Sequence, residues 1–303
     1  MNKIATYKNG NYAVTIYDDG TKIRENDEDR LVPDFAESVD ITITNRCDGG
    51  CRFCYQGCTP EGKHGEILNR KFLDTLHPYT EIAIGGNDLS HPDLMAFLYL
   101  MKQKNVIVNM TVNQKHFMSN YAKISKLIDD KLVYGLGISM TKATPEFIKR
   151  VQKIPNAVIH VINGVVKMED LFRLFNRDLK ILILGYKKLG RGKEYYKDNI
   201  VLKERQRELY HYLPDIISCF KVVSFDNLAL RQLSVRDLMS DEEWNEFYMG
   251  NDAQYTFYID LVNGYFAKSS LDMEEHYPLM DSIDDMFQFI REKCKNDRAE
   301  IQS

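Results

Sequence analysis

Short apolar runs alternate with longer amphipathic stretches through the middle of this 303-residue chain, and this rhythm limits the fold more than any other feature. The apolar runs lie at 39–44, 81–86, 106–112, 133–139, 157–163 and 180–185. Segments with helical spacing lie between or after them, at 91–104, 116–129, 144–153 and 167–175. Strands that alternate with helices in this way form right-handed βαβ units around a parallel sheet. The chain is therefore predicted to be an α/β protein, with 222–225 as a further candidate strand.

The number of units restricts the type of parallel sheet. A closed barrel of the TIM type contains eight βα units, and the apolar runs of this chain supply six. A partial barrel and an open sheet both fit six units.

The segments outside this rhythm predict smaller elements at both ends of the chain. Alternation over 11–17 predicts a β element near the N-terminus. Beyond the core, Ser240 and Glu243 form a capping box that predicts a helix start. Asn263-Gly264 predicts the turn of a β-hairpin, and a final helix is predicted over 282–293. The predicted parts are an N-terminal β extension (1–36), a core (37–228) and a C-terminal hairpin and helix extension packed on the core (229–303).

Charge and cysteine usage exclude several classes of protein. The formal net charge of −4 provides no overall basic field, so a nucleic-acid partner is not indicated. No signal-peptide pattern or long apolar run is present, so we expect a cytoplasmic protein without a membrane partner. Cysteines in that compartment are usually thiols or metal ligands. Four of the six lie between Cys47 and Cys58, whereas Cys219 and Cys294 are isolated and are expected to be structural.

The cysteine cluster contains the spacing C-x3-C-x2-C, formed by Cys47, Cys51 and Cys54 directly after the first core strand. Thiolates are the usual protein ligands of iron–sulfur clusters, and close spacing lets one loop provide three of them. Gly49 and Gly50 permit the backbone turns that such a loop needs. Three protein ligands would leave one iron of a four-iron cluster open to a substrate or cosubstrate.

Two other metal sites fit the same residues. A structural zinc ion usually has four ligands, and Cys58 or His64 could be the fourth here. A [4Fe–4S] cluster held by all four cysteines could serve electron transfer alone. Either alternative would make the chain a metal-stabilised binding or carrier protein rather than an enzyme.

The triplet, with the aromatic Phe53 before its last cysteine, resembles the motif of the radical S-adenosylmethionine (radical SAM) superfamily. The resemblance covers roughly 37–225, and the segments 59–66 and 85–94 are similar to phage and bacterial members without an assigned reaction. It implies a partial (β/α)6 barrel of the TIM type. It also implies that three cysteines hold an oxygen-sensitive [4Fe–4S] cluster and that SAM chelates its fourth iron. Reductive cleavage of SAM would then produce methionine and a 5′-deoxyadenosyl radical that abstracts hydrogen from a substrate.

The resemblance also implies a SAM-binding site at the carboxyl ends of the core strands. Gly85-Gly86 ends the second strand where the family has a Gly-Gly-Glu motif, but Asn87 replaces the acidic residue and Asp88 follows. Because the acidic residue is displaced by one position, a second possibility is that the chain has this fold and binds SAM without cleaving it. The residues that the resemblance places at SAM are Phe53, Gly85, Gly86, Asn87, Asp88, Ser139, Asn163 and Tyr186.

The sequence identifies no substrate and no catalytic side chain. Residues after the cysteine loop and after the sixth strand could face a substrate, namely His64, Glu66, Lys187, Lys188 and Arg191. No second cysteine cluster follows the core, which disfavours chemistry that depends on auxiliary clusters. The resemblance implies a flavodoxin- or ferredoxin-type partner as the source of the electron.

Overall fold

The computed structural model describes residues 1–28, 30–87 and 89–302, and within these ranges the chain forms a three-stranded sheet and a ten-stranded sheet. The small sheet contains β1 (Lys3–Asn9), β2 (Tyr12–Tyr17) and β3 (Lys22–Glu25). The large sheet contains β4 (Ser38–Thr42), β5 (Glu81–Asn87), β6 (Ile107–Asn113), β7 (Gly135–Ser139), β8 (Ala157–Ile162), β9 (Lys180–Leu184), β10 (Val222–Phe225), β11 (Thr256–Asp260), β12 (Tyr265–Ala267) and β13 (Tyr277–Pro278).

The helices of the described residues follow or flank these strands. They are α1 (Leu94–Gln103), α2 (Gln114–Ser119), α3 (Tyr121–Asp129), α4 (Pro145–Val151), α5 (Met168–Phe172), α6 (Gly190–Tyr196), α7 (Ile200–His211), α8 (Leu213–Cys219), α9 (Asn227–Gln232), α10 (Asp241–Phe247) and α11 (Ile283–Gln302). Short 3-10 helices lie at Lys71–Thr75 and Val235–Leu238. In the described part of the chain, no helix combines the length and the apolar character needed to cross a lipid bilayer.

The large sheet is a partial TIM-type barrel, as predicted. Its order is β10-β9-β8-β7-β6-β5-β4-β11-β12-β13. All neighbours from β10 to β11 pair in parallel, and β12 and β13 add antiparallel strands at one side. Among the described strands β10 and β13 are the two edges, so the barrel does not close. The six predicted runs and the candidate strand 222–225 all form strands of this sheet.

Alternating side chains divide each core strand between two environments. In β6, Val108, Met110 and Val112 are buried in the core between the sheet and the helices. Asn109 and Thr111 alternate with them and are half-buried on the concave face. Successive strand residues point to opposite faces, so the concave face is a polar lumen.

The N-terminal sheet covers the amino ends of the core strands. Lys22 of β3 forms ion pairs with Glu37, which precedes β4, at 3.3 Å and with Glu81 of β5 at 2.5 Å. Lys180, the first residue of β9, donates a hydrogen bond to the carbonyl of Asp19. The small sheet therefore closes the end of the barrel opposite the carboxyl ends of its strands.

A buried carboxylate is the centre of this junction. Glu37 is fully buried and accepts hydrogen bonds from Arg24 Nε at 2.7 Å, Arg24 Nη2 at 2.9 Å and the Tyr12 hydroxyl at 2.6 Å. Burial alone would raise the pKa of Glu37, but these hydrogen bonds and the charges of Lys22 and Arg24 outweigh it and lower the pKa. The carboxylate is therefore ionised and holds the small sheet on the barrel.

Two segments differ from the sequence-based expectation. The helix predicted over 116–129 is divided into α2 and α3 at Asn120, whose backbone is non-helical and whose side-chain amide donates to the His116 carbonyl at 3.0 Å. Asparagine competes with helix hydrogen bonding in this way. The predicted hairpin is formed by β11 and β12, but β11 also pairs in parallel with β4 and extends the core sheet.

Candidate functional site

The cysteine loop lies between β4 and β5, at the carboxyl end of β4. Backbone hydrogen bonds close its base, from Cys47 N to the Thr59 carbonyl at 2.8 Å and from Thr59 N to the Asn45 carbonyl at 3.2 Å. Gly62 packs so closely that a Cβ atom there would lie 2.2 Å from the Asn45 carbonyl oxygen. The loop is thus held in one shape by its own backbone, at the end of the barrel where such folds carry their sites.

The thiols of this loop are close to one another. A Cβ atom at Gly49 would lie 3.2 Å from the sulfur of Cys47 and 3.8 Å from that of Cys51. Burial raises the pKa of Cys51, and the neighbouring Cys54 raises it further. A hydrogen bond from the buried Cys58 lowers the pKa of Cys54 to about 6. The loop therefore gathers sulfur donors, one of which favours the thiolate that metals bind.

The donor set fits an iron–sulfur cluster in its chemistry. Cys47, Cys51 and Cys54 are each half-buried on one loop, and Gly49 leaves open the space beside two of the sulfurs. The nearby carboxylate of Asp48 is turned away to Lys115 and His116. Within the described residues, no three His, Cys, Asp or Glu side chains are drawn together in the geometry of a metal site. The ligand role of the three cysteines stays a prediction.

Helix α2 holds one side of the loop. Asp48 accepts a hydrogen bond from His116 and forms an ion pair with Lys115 at 2.9 Å. Asn113 ends β6, caps α2 by accepting from Lys115 N at 2.8 Å, and donates from Nδ2 to the Cys51 sulfur at 3.4 Å. The sequence analysis missed Asn113, although an asparagine between a strand and a helix is a usual capping signal.

The first turn of α6 holds the other side. Arg191 donates three hydrogen bonds to carbonyl groups of the cysteine loop, from its backbone N to Cys54, from Nε to Cys51 and from Nη1 to Cys58. The sequence suggested a substrate-facing role for Arg191, whereas the structure places it against the loop backbone. No local pattern could have shown this contact, because 140 residues separate Arg191 from Cys51.

The end of β5 contains the Gly-Gly pair predicted to approach SAM. Gly85 aligns with Thr111 of β6, but the register shifts between Gly85 and Asn87, so Gly86 lies in a β-bulge. Bulges frequently lie next to active sites because they redirect the strand. The backbone of Gly86 and Asn87 belongs to β5. The side chain of Asn87 and the whole of Asp88 lie outside the described residues, so their predicted contacts with SAM stay predictions.

The other predicted SAM residues form two groups. Ser139 ends β7 and aligns with Asn113 on one side and His160 on the other, which places it near the cysteine loop. Asn163, just after β8, and Tyr186, just after β9, meet at Gln232 of α9.

The side-chain amide of Gln232 forms hydrogen bonds with both Asn163 and Tyr186. It accepts from Asn163 Nδ2 at 3.1 Å and from Tyr186 N at 2.8 Å, and it donates to the Tyr186 carbonyl at 3.0 Å. Within the described structure, the buried Oδ1 of Asn163 has no hydrogen-bond partner. An unsatisfied buried acceptor of this kind is the feature that a ligand would satisfy.

Phe53 lies between the cysteine loop and α6. Its ring is half-buried, with its centroid 6.2 Å from that of Tyr195. A Cβ atom at Gly192 would lie 3.2 Å from the Phe53 carbonyl oxygen. Phe53 therefore takes part in packing α6 against the loop, beside any ligand of the cysteines.

The lumen contains two titratable side chains that the sequence analysis missed. Asp40 lies in the middle of β4, where water reaches its side chain. Desolvation by the surrounding barrel walls raises its pKa to about 6, although Lys187 lowers it in part. His160 lies on β8, and burial lowers its pKa to about 4, so the imidazole is neutral at pH 7. Each residue interrupts an apolar run at an alternate position, which is the signal that could have indicated a lumen-facing side chain.

The remaining substrate-facing candidates have other contacts. His64 Nδ1 lies 2.9 Å from the Thr44 hydroxyl, and its ring packs edge-on to His91. Glu66 accepts hydrogen bonds from the backbone of Leu68 and Asn69. These residues support the local fold of the cysteine-loop segment.

Lys187 and Lys188, after β9, are the last two substrate-facing candidates. Lys187 lies 4.1 Å from the centroid of the Tyr55 ring and donates to Ser270 at 2.9 Å, which places its charge beside the cysteine loop. Lys188 is exposed and lies over the Tyr196 ring.

Two solved structures of SuiB from Streptococcus suis, a radical SAM enzyme, have the same fold. SuiB bound to precursor peptide SuiA aligns with a TM-score of 0.58 at 14% identity, over 84% of this chain and 65% of SuiB. SuiB bound to S-adenosylmethionine aligns with a TM-score of 0.53 at 14% identity, over 80% of this chain and 63% of SuiB. The alignments thus span less than two thirds of the length of SuiB. No protein-family model and no curated protein matches the sequence.

Proposed function

We propose, from the fold that this chain shares with SuiB, that it is a radical SAM enzyme in which Cys47, Cys51 and Cys54 hold a [4Fe–4S] cluster. The observation that carries the proposal is the location of these half-buried thiols, which one loop gathers at the carboxyl end of a parallel strand in that fold. The neighbouring strand ends then provide the SAM site, with Gly85 and Gly86 on the bulged strand β5.

The bound cluster and SAM would supply one-electron reduction and hydrogen-abstraction chemistry. The residues of the chain position these groups and limit what reaches them. Asn113 directs an N–H group at the Cys51 sulfur, and Asp48 anchors the loop to α2. The N-terminal sheet covers the opposite end of the barrel through Glu37, so the substrate enters from the carboxyl end or the open side.

The same proposal places the substrate in the polar lumen. Asp40 of β4 and His160 of β8 face this space from strands that three other strands separate in the sheet. Because His160 is neutral at pH 7, it can donate one hydrogen bond and accept another without adding charge. SuiB binds the precursor peptide SuiA, and we do not propose this peptide as the substrate of the present chain. A flavodoxin- or ferredoxin-type protein is proposed as the reductant.

Metal content and SAM cleavage test the proposal together. The chain reconstituted anaerobically with iron and sulfide is expected to bind about four irons, because a [4Fe–4S] cluster contains that number. On reduction with dithionite it should convert SAM to 5′-deoxyadenosine, measured by liquid chromatography. Cys47→Ala, Cys51→Ala and Cys54→Ala should each lose both properties.

Cys219→Ala is the matched control, because Cys219 is a half-buried thiol outside the loop, at the end of α8. This variant should still bind iron and cleave SAM. Zinc without sulfide in the purified chain would instead support the structural metal site, with Cys58 as the fourth ligand to test. A reduced cluster that binds SAM and forms no 5′-deoxyadenosine would contradict the enzymatic part of the proposal.

A further inference from the structure

The first turn of α6 makes a dense set of contacts with the cysteine loop. Arg191 donates from its backbone N to the Cys54 carbonyl at 3.1 Å, from Nε to the Cys51 carbonyl at 3.1 Å, and from Nη1 to the Cys58 carbonyl at 2.9 Å. A guanidinium group provides several donors in a rigid plane. One residue therefore ties together three points of the loop, two of them at predicted cluster ligands.

The glycines on both sides of Arg191 allow this approach. A Cβ atom at Gly190, whose φ is +49°, would lie 2.4 Å from the Tyr55 carbonyl oxygen. A Cβ atom at Gly192 would lie 2.6 Å from the Lys187 carbonyl oxygen. A side chain at Gly190 would push α6 away from the loop, and one at Gly192 would collide with the turn that leads into α6 and crowd the Phe53 carbonyl oxygen of the loop at 3.2 Å. The sequence Gly190-Arg191-Gly192 thus fits the loop backbone closely.

Arg191 also brings a positive charge to the cysteine loop. Its guanidinium donates to the carbonyl groups of Cys51 and Cys58 and therefore lies beside the loop that carries the predicted ligands. Lys187 also lies beside the loop, over the Tyr55 ring, whereas Lys188 lies over the Tyr196 ring and Lys193 is exposed. The segment is therefore more than a solvated basic loop.

We infer that Gly190-Arg191-Gly192 is a clamp that fixes the backbone of the cysteine loop, and that Arg191 is its positioning residue. The part that concerns the cluster rests on the proposed function. The clamp acts on the backbone of the loop before a cluster binds. With a cluster bound, the guanidinium would lie beside the predicted ligand Cys51, and its positive charge would favour the more negative, reduced state.

Hydrogen exchange in the metal-free chain tests the backbone part without any cluster. Loop amides such as those of Cys47, Cys54 and Gly57, which donate within the loop, should exchange about tenfold faster in Arg191→Ala. Such a factor follows from losing about 1.4 kcal/mol of local stabilisation, which is within what the two side-chain hydrogen bonds removed can supply. Peptides from β6 to β8 should exchange at the wild-type rate, which shows that the variant is folded.

Arg191→Lys and Lys193→Ala separate geometry from charge. Lysine keeps the charge and the backbone bond to Cys54, but its ammonium group cannot replace the planar fork that joins the Cys51 and Cys58 carbonyl groups. Arg191→Lys should therefore exchange at an intermediate rate and Lys193→Ala at the wild-type rate. Unchanged loop exchange in Arg191→Ala, or complete rescue by lysine, would overturn the clamp.

The cluster part has its own readout. After anaerobic reconstitution, potentiometry monitored by electron paramagnetic resonance should give a more negative midpoint potential for Arg191→Ala than for wild type. Arg191→Lys should keep most of the wild-type potential because it keeps the cation. If the wild-type chain binds no iron, the proposed function and this part fail together, while the exchange experiment still decides the clamp. An equal potential in all variants would overturn the electrostatic role alone.

Discussion

At Gly137 the missing side chain makes room for the imidazole of His160. A Cβ atom there would lie 2.3 Å from Cε1 of His160 and 2.8 Å from the Thr111 hydroxyl oxygen. Three neighbouring strands thus contribute to one contact on the lumen wall. The position of His160 depends on a glycine two residues before the end of the adjacent strand.

Gly137→Ala is therefore expected to destabilise the chain by about 1–3 kcal/mol, because the added methyl group overpacks this site. Urea denaturation would measure the loss. The double variant Gly137→Ala/His160→Ala should recover part of it, since removing the imidazole removes the clash. If the losses of stability in the two single variants simply add in the double variant, the contact between position 137 and His160 is contradicted.

Asp40 provides a pH-dependent test of the lumen. Desolvation by the surrounding barrel walls raises the pKa of Asp40 from 3.8 to about 6, so the folded chain binds this proton more tightly than the unfolded chain. Its contribution to stability is therefore present below pH 3.8 and decreases as the pH rises to about 6.

Asp40→Asn removes this titration. The free energy of unfolding of the variant relative to wild type should rise between pH 4 and pH 6.5, by about 1 kcal/mol because water reaches the side chain and screens it. A flat difference for Asp40→Asn across this range would exclude the raised pKa.

At the scale of elements, the junction between β6 and α2 depends on Asn113. Its Oδ1 caps the helix and its Nδ2 donates to the Cys51 sulfur. One side chain thus joins a core strand, a helix and the cysteine loop. The two functions use different atoms, so they can be separated by substitution.

Asn113→Ala should cost about 1 kcal/mol, because the cap is lost. Asn113→Asp keeps the capping acceptor and should nearly retain wild-type thermal stability. It directs a carboxylate at the sulfur, so it should retain less iron after reconstitution and desalting than wild type. Equal iron retention in Asn113→Asp and wild type would show that the contact with Cys51 has no effect on the site.

Sequence patterns predicted elements better than their connections. The alternation of residues in β6 and the capping box at Ser240 both depend on neighbours a few positions away, and the structure shows both. The break at Asn120 was missed, because the periodicity of apolar residues continues across it. The parallel pairing of β11 with β4 was also missed, since it joins segments separated by most of the chain.

For the whole molecule, the Glu37 junction connects the N-terminal sheet to the barrel. Glu37 is buried together with Arg24 and Lys22. Removing one member of a buried ion-pair network leaves an uncompensated charge. The junction is therefore expected to be a major determinant of how the two sheets stay together.

Glu37→Gln should lower the free energy of unfolding by about 3 kcal/mol or more. Limited proteolysis should then cut within 1–36 before it cuts the barrel. Lys71→Ala removes an exposed ion pair with Asp281 and should leave the free energy of unfolding nearly unchanged, because water and salt screen such a pair. Equal losses in the two variants would contradict the role of the buried carboxylate.

The sequence by itself determined the strand and helix rhythm, the cysteine spacing and the resemblance that follows from them. These properties depend on residues close together in the chain, because periodicity and loop spacing are local. Tertiary structure alone decided which side chains support the loop. Arg191 and Asn113 lie 140 and 62 residues from Cys51, yet both contact it. Such contacts depend on how the strands pack side by side, and no local pattern encodes that arrangement.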